Sequence, residues 1–319
     1  MNKRERVLAV IHGCQPDKIP AGFWLHFPAE AHYGPNAVTT HLDFFQNSQT
    51  DIGKVMNENL IPKDPALNTA ADWSDLRPLP LDSDYFRRQV ELVRQVADSA
   101  GRDAVVLATI HGVVASASHL IGGPTIYDTD RNILARHLRE NPAGMRHGLQ
   151  IVADYLAALT RACLEAGADG IYYAALGGER TLYTDDQFAE FIRPLDLQVL
   201  AAAAGRKGFN VLHLCKDGLN LDRFRDYPGE VVNWGIYADN PGLSAARDYF
   251  PDKIVLGGLD DRSGVLVDGN AAEITAAVHD ILDRIGDTPF ILGADCTLPA
   301  EIDLARIRTA IAALNSYRR

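Results

Sequence analysis

Residues 149–173 read LQIVADYLAALTRACLEAGADGIYY, and the fold is decided there. Leu149, Val152, Leu156, Leu159 and Cys163 follow at spacings of 3, 4, 3 and 4, one apolar stripe that predicts a helix over 150–166. Gly167 ends it, as glycine does where a helix must turn out of its own path. Gly170-Ile-Tyr-Tyr173 then reads as a strand. A long helix feeding a short apolar strand is part of a βαβ unit and predicts a parallel sheet.

The same alternation continues to the C-terminus. A helix over 185–205 precedes the strand Asn210-Val-Leu-His-Leu214, and a short helix over 221–227 precedes Glu230-Val-Val-Asn-Trp234. Helices over 243–249 and 271–285 precede Lys253-Ile-Val-Leu-Gly257 and Pro289-Phe-Ile-Leu-Gly293, and a helix over 301–316 closes the chain. Towards the N-terminus the pattern is noisier. Strands are expected at 21–27, 52–56 and 104–110, the last preceded by a helix with Phe86, Val90, Val93 and Ala97 on one stripe. Three strands and five predict a single (β/α)8 TIM barrel over 1–319, with an N-terminal helical extension. An open doubly wound sheet is the rival, but no Gly-rich first turn is present; Gly177-Gly178 and Gly257-Gly258 are plain loop glycines.

Composition agrees. The 319 residues are 47% hydrophobic and 23% charged, which excludes a disordered chain. Lys and Arg total 31 against 42 Asp and Glu, a net charge of −11, which argues against a nucleic-acid partner. No apolar run reaches membrane-spanning length, so no membrane partner is expected. The N-terminus lacks a signal-peptide pattern, which predicts a cytoplasmic protein. Four scattered cysteines make no disulfide scaffold; Cys163 belongs to the helix stripe and Cys14 carries no assignment.

In such a barrel, chemistry sits at the C-terminal ends of the strands. The fifth strand ends His213-Leu-Cys215-Lys-Asp-Gly218, and alternation turns His213 and Cys215 to one side. The eighth ends Gly293-Ala-Asp-Cys296-Thr-Leu-Pro299, which brings a second thiol to the same rim. One imidazole and two thiols are a ligand set for Zn2+, with a coordination position left open for chemistry. An ordinary packed His/Cys pair is the alternative reading.

Several segments follow in a familiar order: Arg4-Glu-Arg-Val-Leu-Ala-Val, Pro16-Asp-Lys-Ile-Pro20, Ala166-Gly-Ala-Asp-Gly-Ile, His213-Leu-Cys215, Leu256-Gly-Gly-Leu-Asp260 and Gly293-Ala-Asp-Cys296-Thr-Leu-Pro299. Together they resemble the uroporphyrinogen decarboxylase superfamily over essentially the whole chain. The resemblance is closer to its corrinoid-linked methyltransferase branch, typified by methylcobalamin:coenzyme M methyltransferases and marked by His-x-Cys and a distant Cys. It implies catalytic zinc on His213, Cys215 and Cys296. It also implies methyl transfer between a small-molecule substrate, a thiol or a methylated compound, and a corrinoid (methylcobalamin) carried by a separate protein. Barrels of this kind occur as monomers and as homodimers.

A tetrapyrrole decarboxylase is the first alternative. The resemblance implies that such an enzyme grips its polycarboxylate with arginines after the first strand, and Trp24-Leu-His-Phe-Pro-Ala-Glu-Ala-His-Tyr33 has none. The aspartate expected after strand four is missing from Tyr172-Tyr-Ala-Ala-Leu-Gly-Gly178 as well. A non-catalytic barrel that binds a corrinoid or another ligand is the second alternative.

The branch commonly adds a labile carboxylate to the metal. Asp239 and Glu179, after strands six and four, are the candidates, since Glu230 starts a strand and Asp295 faces away from Cys296. His111 at the rim of strand three is a candidate catalytic group alongside Asp239. His26, Asn57 and Glu58 also lie at strand ends, and Tyr173 and Trp234 are candidate apolar walls of a substrate pocket.

Overall fold

The structure is a computed structural model and describes residues 1–101, 103–205 and 208–317. Its eight parallel strands are β1 (Ala21–Gly22), β2 (Ile52–Val55), β3 (Val105–His111), β4 (Gly170–Ala175), β5 (Val211–Leu214), β6 (Val231–Trp234), β7 (Ile254–Leu259) and β8 (Phe290–Ala294). They pair in the order β1-β8-β7-β6-β5-β4-β3-β2. With helices around them they make a single (β/α)8 barrel, preceded by the helix Lys3–Ile11. The strands are buried on both faces, because side chains fill the barrel inside and the helices cover it outside.

β1 is shorter than the run 21–27 suggests. The chain stays extended past Gly22, but only an isolated bridge between Leu25 and Leu298 ties it to the eighth stave. Phe23 donates its N–H to the Thr50 hydroxyl at 3.1 Å. The gap between β1 and β2 is closed by the preceding loop. Asp51 N–H donates to Ala21 O at 2.7 Å, and its carboxylate accepts from Ala21 N–H at 2.9 Å and from Arg6 at 2.6 Å. The N-terminal helix thus rivets the seam from below.

The helix expected over 150–166 runs Pro142–Glu165. Pro142 stands in its first turn, and Asn141 caps it by accepting from Gly144 N–H at 3.0 Å. Gly148 hides the early turns from a propensity reading; any Cβ there would stand 2.2 Å from the Trp73 ring. The helix expected over 185–205 divides into Asp185–Gln187, a π-turn Phe188–Ile192 and Arg193–Ala201, with Pro194 removing an N–H at the last junction. Asn210, Glu230, Lys253 and Pro289 fall just outside β5 to β8. Among the described residues no helix is long and apolar enough to cross a membrane.

Candidate active site

Register places the site. His213 on β5 pairs with Ala174 on β4 and Asn233 on β6, and in the same way His111 on β3 pairs with Ala174. These residues share one layer, and alternation sends their side chains inward. Cys215, one step beyond β5, is held by its N–H to Ala175 O at 3.0 Å. Lys216 follows at φ 83°, a left-handed turn at a non-glycine residue that ends the strand abruptly beside the thiol.

His213, Cys215 and Cys296 converge as expected. The two Sγ atoms lie 3.9 Å apart, and Cys296 Sγ is 3.4 Å from His213 Nε2. Tetrahedral zinc, with bonds of about 2.3 Å to sulfur and 2.0 Å to nitrogen, would set these spacings near 3.8 and 3.5 Å. The donor set fits the ion. Among the described residues the cluster closes at these three; all their donor atoms lie within 4.8 Å of one another.

Asn233 fixes the imidazole. Its Nδ2 donates to Leu256 O at 2.9 Å and Ala294 O at 3.1 Å, so Oδ1 must face His213. That oxygen accepts from His213 Nδ1 at 2.6 Å and from the Tyr172 hydroxyl at 3.1 Å. The proton therefore sits on Nδ1, and the Nε2 lone pair points at the cysteines, as a metal-binding histidine requires. Tyr172 also stacks on the imidazole, with centroids 5.2 Å apart. Between the thiols, a hydrogen bond from Cys215 S–H holds Cys296 well below the ordinary thiol range. The same bond, together with burial, pushes Cys215 up.

Two cavities open from the triad. One, about 370 Å³, is walled by Asp260, Asp261, Asp295, Arg131, Arg262 and Tyr237. Burial pushes Asp261 up to about 6 and Asp295 up to about 8, and Asp295 accepts Tyr237 N–H at 3.0 Å. The other, about 330 Å³, is walled by Lys54, Met56, Thr109, His111, Tyr172 and Leu176, with His26 and Glu58 also lining it. Both cavities share His213, Cys215 and Cys296.

His111 lines the second cavity; burial pushes its pKa well down, and its Nδ1 has no partner. His26 lines it too, 2.7 Å from Glu58. Five candidates do not reach either cavity. Tyr173 points out of the barrel to Asp196, Trp234 points out and donates to Pro241 O at 2.7 Å, and Asn57 is buried on the outer side of β2's extension. The inward residues are their neighbours, Tyr172, Asn233 and Glu58. Asp239 is turned to solvent with 90% of its side chain exposed, 3.6 Å from Arg180, so it cannot serve as metal ligand or catalyst in this arrangement. Glu179 stands one layer behind the wall, buried, accepting the Tyr127 hydroxyl at 2.9 Å. Asp295, expected to face away from Cys296, nevertheless lines the first cavity, because β8 ends at Ala294 and the backbone turns there.

Lys54, Thr109, Tyr172 and Asn233 went unread in the sequence. Alternation was the available signal: counting back by twos from a rim residue reaches Lys54 from Glu58 and Thr109 from His111.

Comparison with known proteins gives the setting. No curated protein matches the chain. Among solved structures, a methyltransferase from Methanosarcina mazei superposes with a TM-score of 0.74 at 17% identity, covering 99% of both chains. A B12-independent methionine synthase from Shewanella sp. W3-18-1, in complex with selenomethionine, superposes with a TM-score of 0.60 at 12% identity, over 94% of this chain and 95% of the other. At such identities these likenesses speak for the fold. The sequence model of the family described as Uroporphyrinogen decarboxylase (URO-D) matches residues 54–317, most of the barrel with every residue of the triad, and the chain belongs to that family.

Proposed function

We propose that the protein is a zinc-dependent methyltransferase that moves a methyl group between a small thiol or methylated substrate and a corrinoid held by a separate protein. The observation that carries this reading is the convergence of His213, Cys215 and Cys296 on one point at the mouth of the barrel, open to two cavities. Bound there, zinc would supply Lewis acidity that makes a thiol sulfur anionic at neutral pH or a methylated group a better donor. Both similar structures carry names that denote methyl-transfer enzymes.

The chain's own residues have separate tasks in this reading. Asn233 orients His213. His111, neutral and with a free ring nitrogen, is sited to hydrogen-bond a substrate in the second cavity. His26 and Glu58 stand at that cavity's edge as substrate-contacting groups, and the partly exposed mouth is where a corrinoid protein would dock.

The test is zinc content and methyl transfer together. About one zinc per chain is expected, lost in His213→Ala or Cys215→Ala, with methylcobalamin consumed in the presence of a thiol. Release of CO2 from uroporphyrinogen, with no zinc bound, would establish the decarboxylase instead. Zinc without turnover across a broad panel of thiols and methoxylated compounds would leave a binding barrel.

A further inference from the structure

Lys54 rises from β2 into the barrel interior and is only 3% exposed. A lysine this deep is ordinarily paired. This one is not: among the described residues no carboxylate lies within ion-pair distance of Nζ. Its hydrogen-bond acceptor is the weak thioether of Met56, at 3.1 Å. The faces of Tyr172 and Trp24 lie 4.3 and 5.1 Å from it. These aromatic faces soften the cost of a buried ammonium without neutralising it.

Three acidic groups bear on Lys54 from the elements packed around it: Cys296, Glu58 and Cys215; His41, His111 and His26 stand on the same side of the barrel. Glu58 is already engaged by His26 at 2.7 Å. Burial pushes the Lys54 ammonium down to about 8, with the thiols and Glu58 acting against that, so it is still the cation at neutral pH, and no fixed carboxylate is paired with it.

We propose that Lys54 is the charge of an anion subsite in the second cavity, and that the substrate brought to the triad carries a carboxylate-type group. The inference rests on the methyltransferase reading only in assuming that substrate enters this cavity. One formal charge on Lys54 matches a singly charged group. The walls beside it (Leu60, Pro124, Leu176) suit a carbon skeleton rather than inorganic phosphate, which would want several cations or a nest of N–H donors. His111, with its unpartnered Nδ1, stands on the neighbouring stave to complete the polar end.

Benzoate and benzamide, alike in shape and different in charge, test this by titration calorimetry on zinc-loaded and metal-free protein. Benzoate is expected to bind the native chain roughly tenfold or more tightly than benzamide, the size of one charge-assisted hydrogen bond. In Lys54→Met the preference should vanish with zinc content unchanged, and Lys54→Arg should restore part of it. Should Lys54→Met fail to fold, Lys54→Gln carries the same comparison. Equal binding of the two probes by the native chain overturns the proposal. So does a preference that survives in Lys54→Met, or a Lys54→Met variant that loses zinc together with the preference, which would make Lys54 a counter-charge for the thiols. Absence of methyl transfer with the benzoate preference intact would sink the function and leave the subsite standing.

Discussion

Single atoms decide the metal site. Asn233 spends all four of its hydrogen bonds on holding His213 Nδ1–H, the Tyr172 hydroxyl and two backbone carbonyls. Its role is positional, and removing such a partner from a zinc-binding histidine typically weakens the metal roughly 10- to 100-fold. Asn233→Ala should therefore lower zinc affinity by about that factor in competition with a chromophoric chelator; affinity equal to that of the native chain would show that the imidazole orients itself. A second residue-scale prediction concerns His41, buried between Ala37 O at 2.7 Å and Met56 N–H at 3.0 Å. Burial pushes its folded pKa from 6.5 down to about 4, so the folded state binds fewer protons than the unfolded chain in that interval. The stability it contributes is present above pH 6.5 and drains away as pH falls towards 4, by up to roughly 3 kcal/mol. His119 works in the same sense, and Asp196, Asp261 and Asp295 in the opposite one, since burial pushes these carboxyls from 3.8 up to about 7, 6 and 8, so the raw profile mixes several groups. Urea midpoints of His41→Gln should fall less steeply between pH 6.5 and 4 than those of the native chain; parallel profiles would refute the assignment.

At the scale of elements, strand alternation explains both what was readable and what was missed. Turning His213 and Cys215 to one side needs only a count of two, and that reading holds. The same count fails for Tyr173, Trp234 and Asn57. A barrel strand buried on both faces shows no polar/apolar rhythm, so its phase has to come from a neighbour's register. In Gly170-Ile-Tyr-Tyr173 two tyrosines stand side by side and only the pairing Thr109–Tyr172 shows which one faces inward. Asp239 was misjudged for another reason: it follows β6 but sits at φ 54°, a turn that swings its carboxylate outward. Helix starts blurred where glycines make room for a neighbour, as Gly148 does for Trp73. Backbone closeness yields a prediction of its own. A Cβ at Gly170 would stand 1.8 Å from Phe209 O, main chain that cannot step aside. Gly170→Ala should destabilise by about 3 kcal/mol or more, in the class of severe single substitutions; a melting temperature within a degree or two of the native value would contradict the close approach.

The whole molecule separates what keeps the barrel shut from what works at its mouth. The alternation of helix and strand was enough to count eight staves, because parallel neighbours demand a crossover each time. How the first stave meets the second was not legible, since it depends on Asp51 bonding to a helix 45 residues earlier. Arg6 and Asp51 are both buried there, so deleting one leaves the other an unpaired charge, a loss of roughly 3–5 kcal/mol. Arg6→Ala should lower the unfolding free energy by that amount while zinc stoichiometry stays the same. Joint loss of stability and metal would mean that the two ends of the barrel are coupled.

The nearness of Cys215 and Cys296 bears on how the protein is handled at the bench. Stripped with a chelator in air, two thiols 3.9 Å apart form a ready substrate for oxygen, which would take up their electrons and protons and leave them cross-linked. Apoprotein prepared without reductant should then refuse zinc until treated with a phosphine, whereas material purified with its ion in place should keep both thiols. Preparations that differ only in this history would give opposite answers about whether the protein binds metal at all.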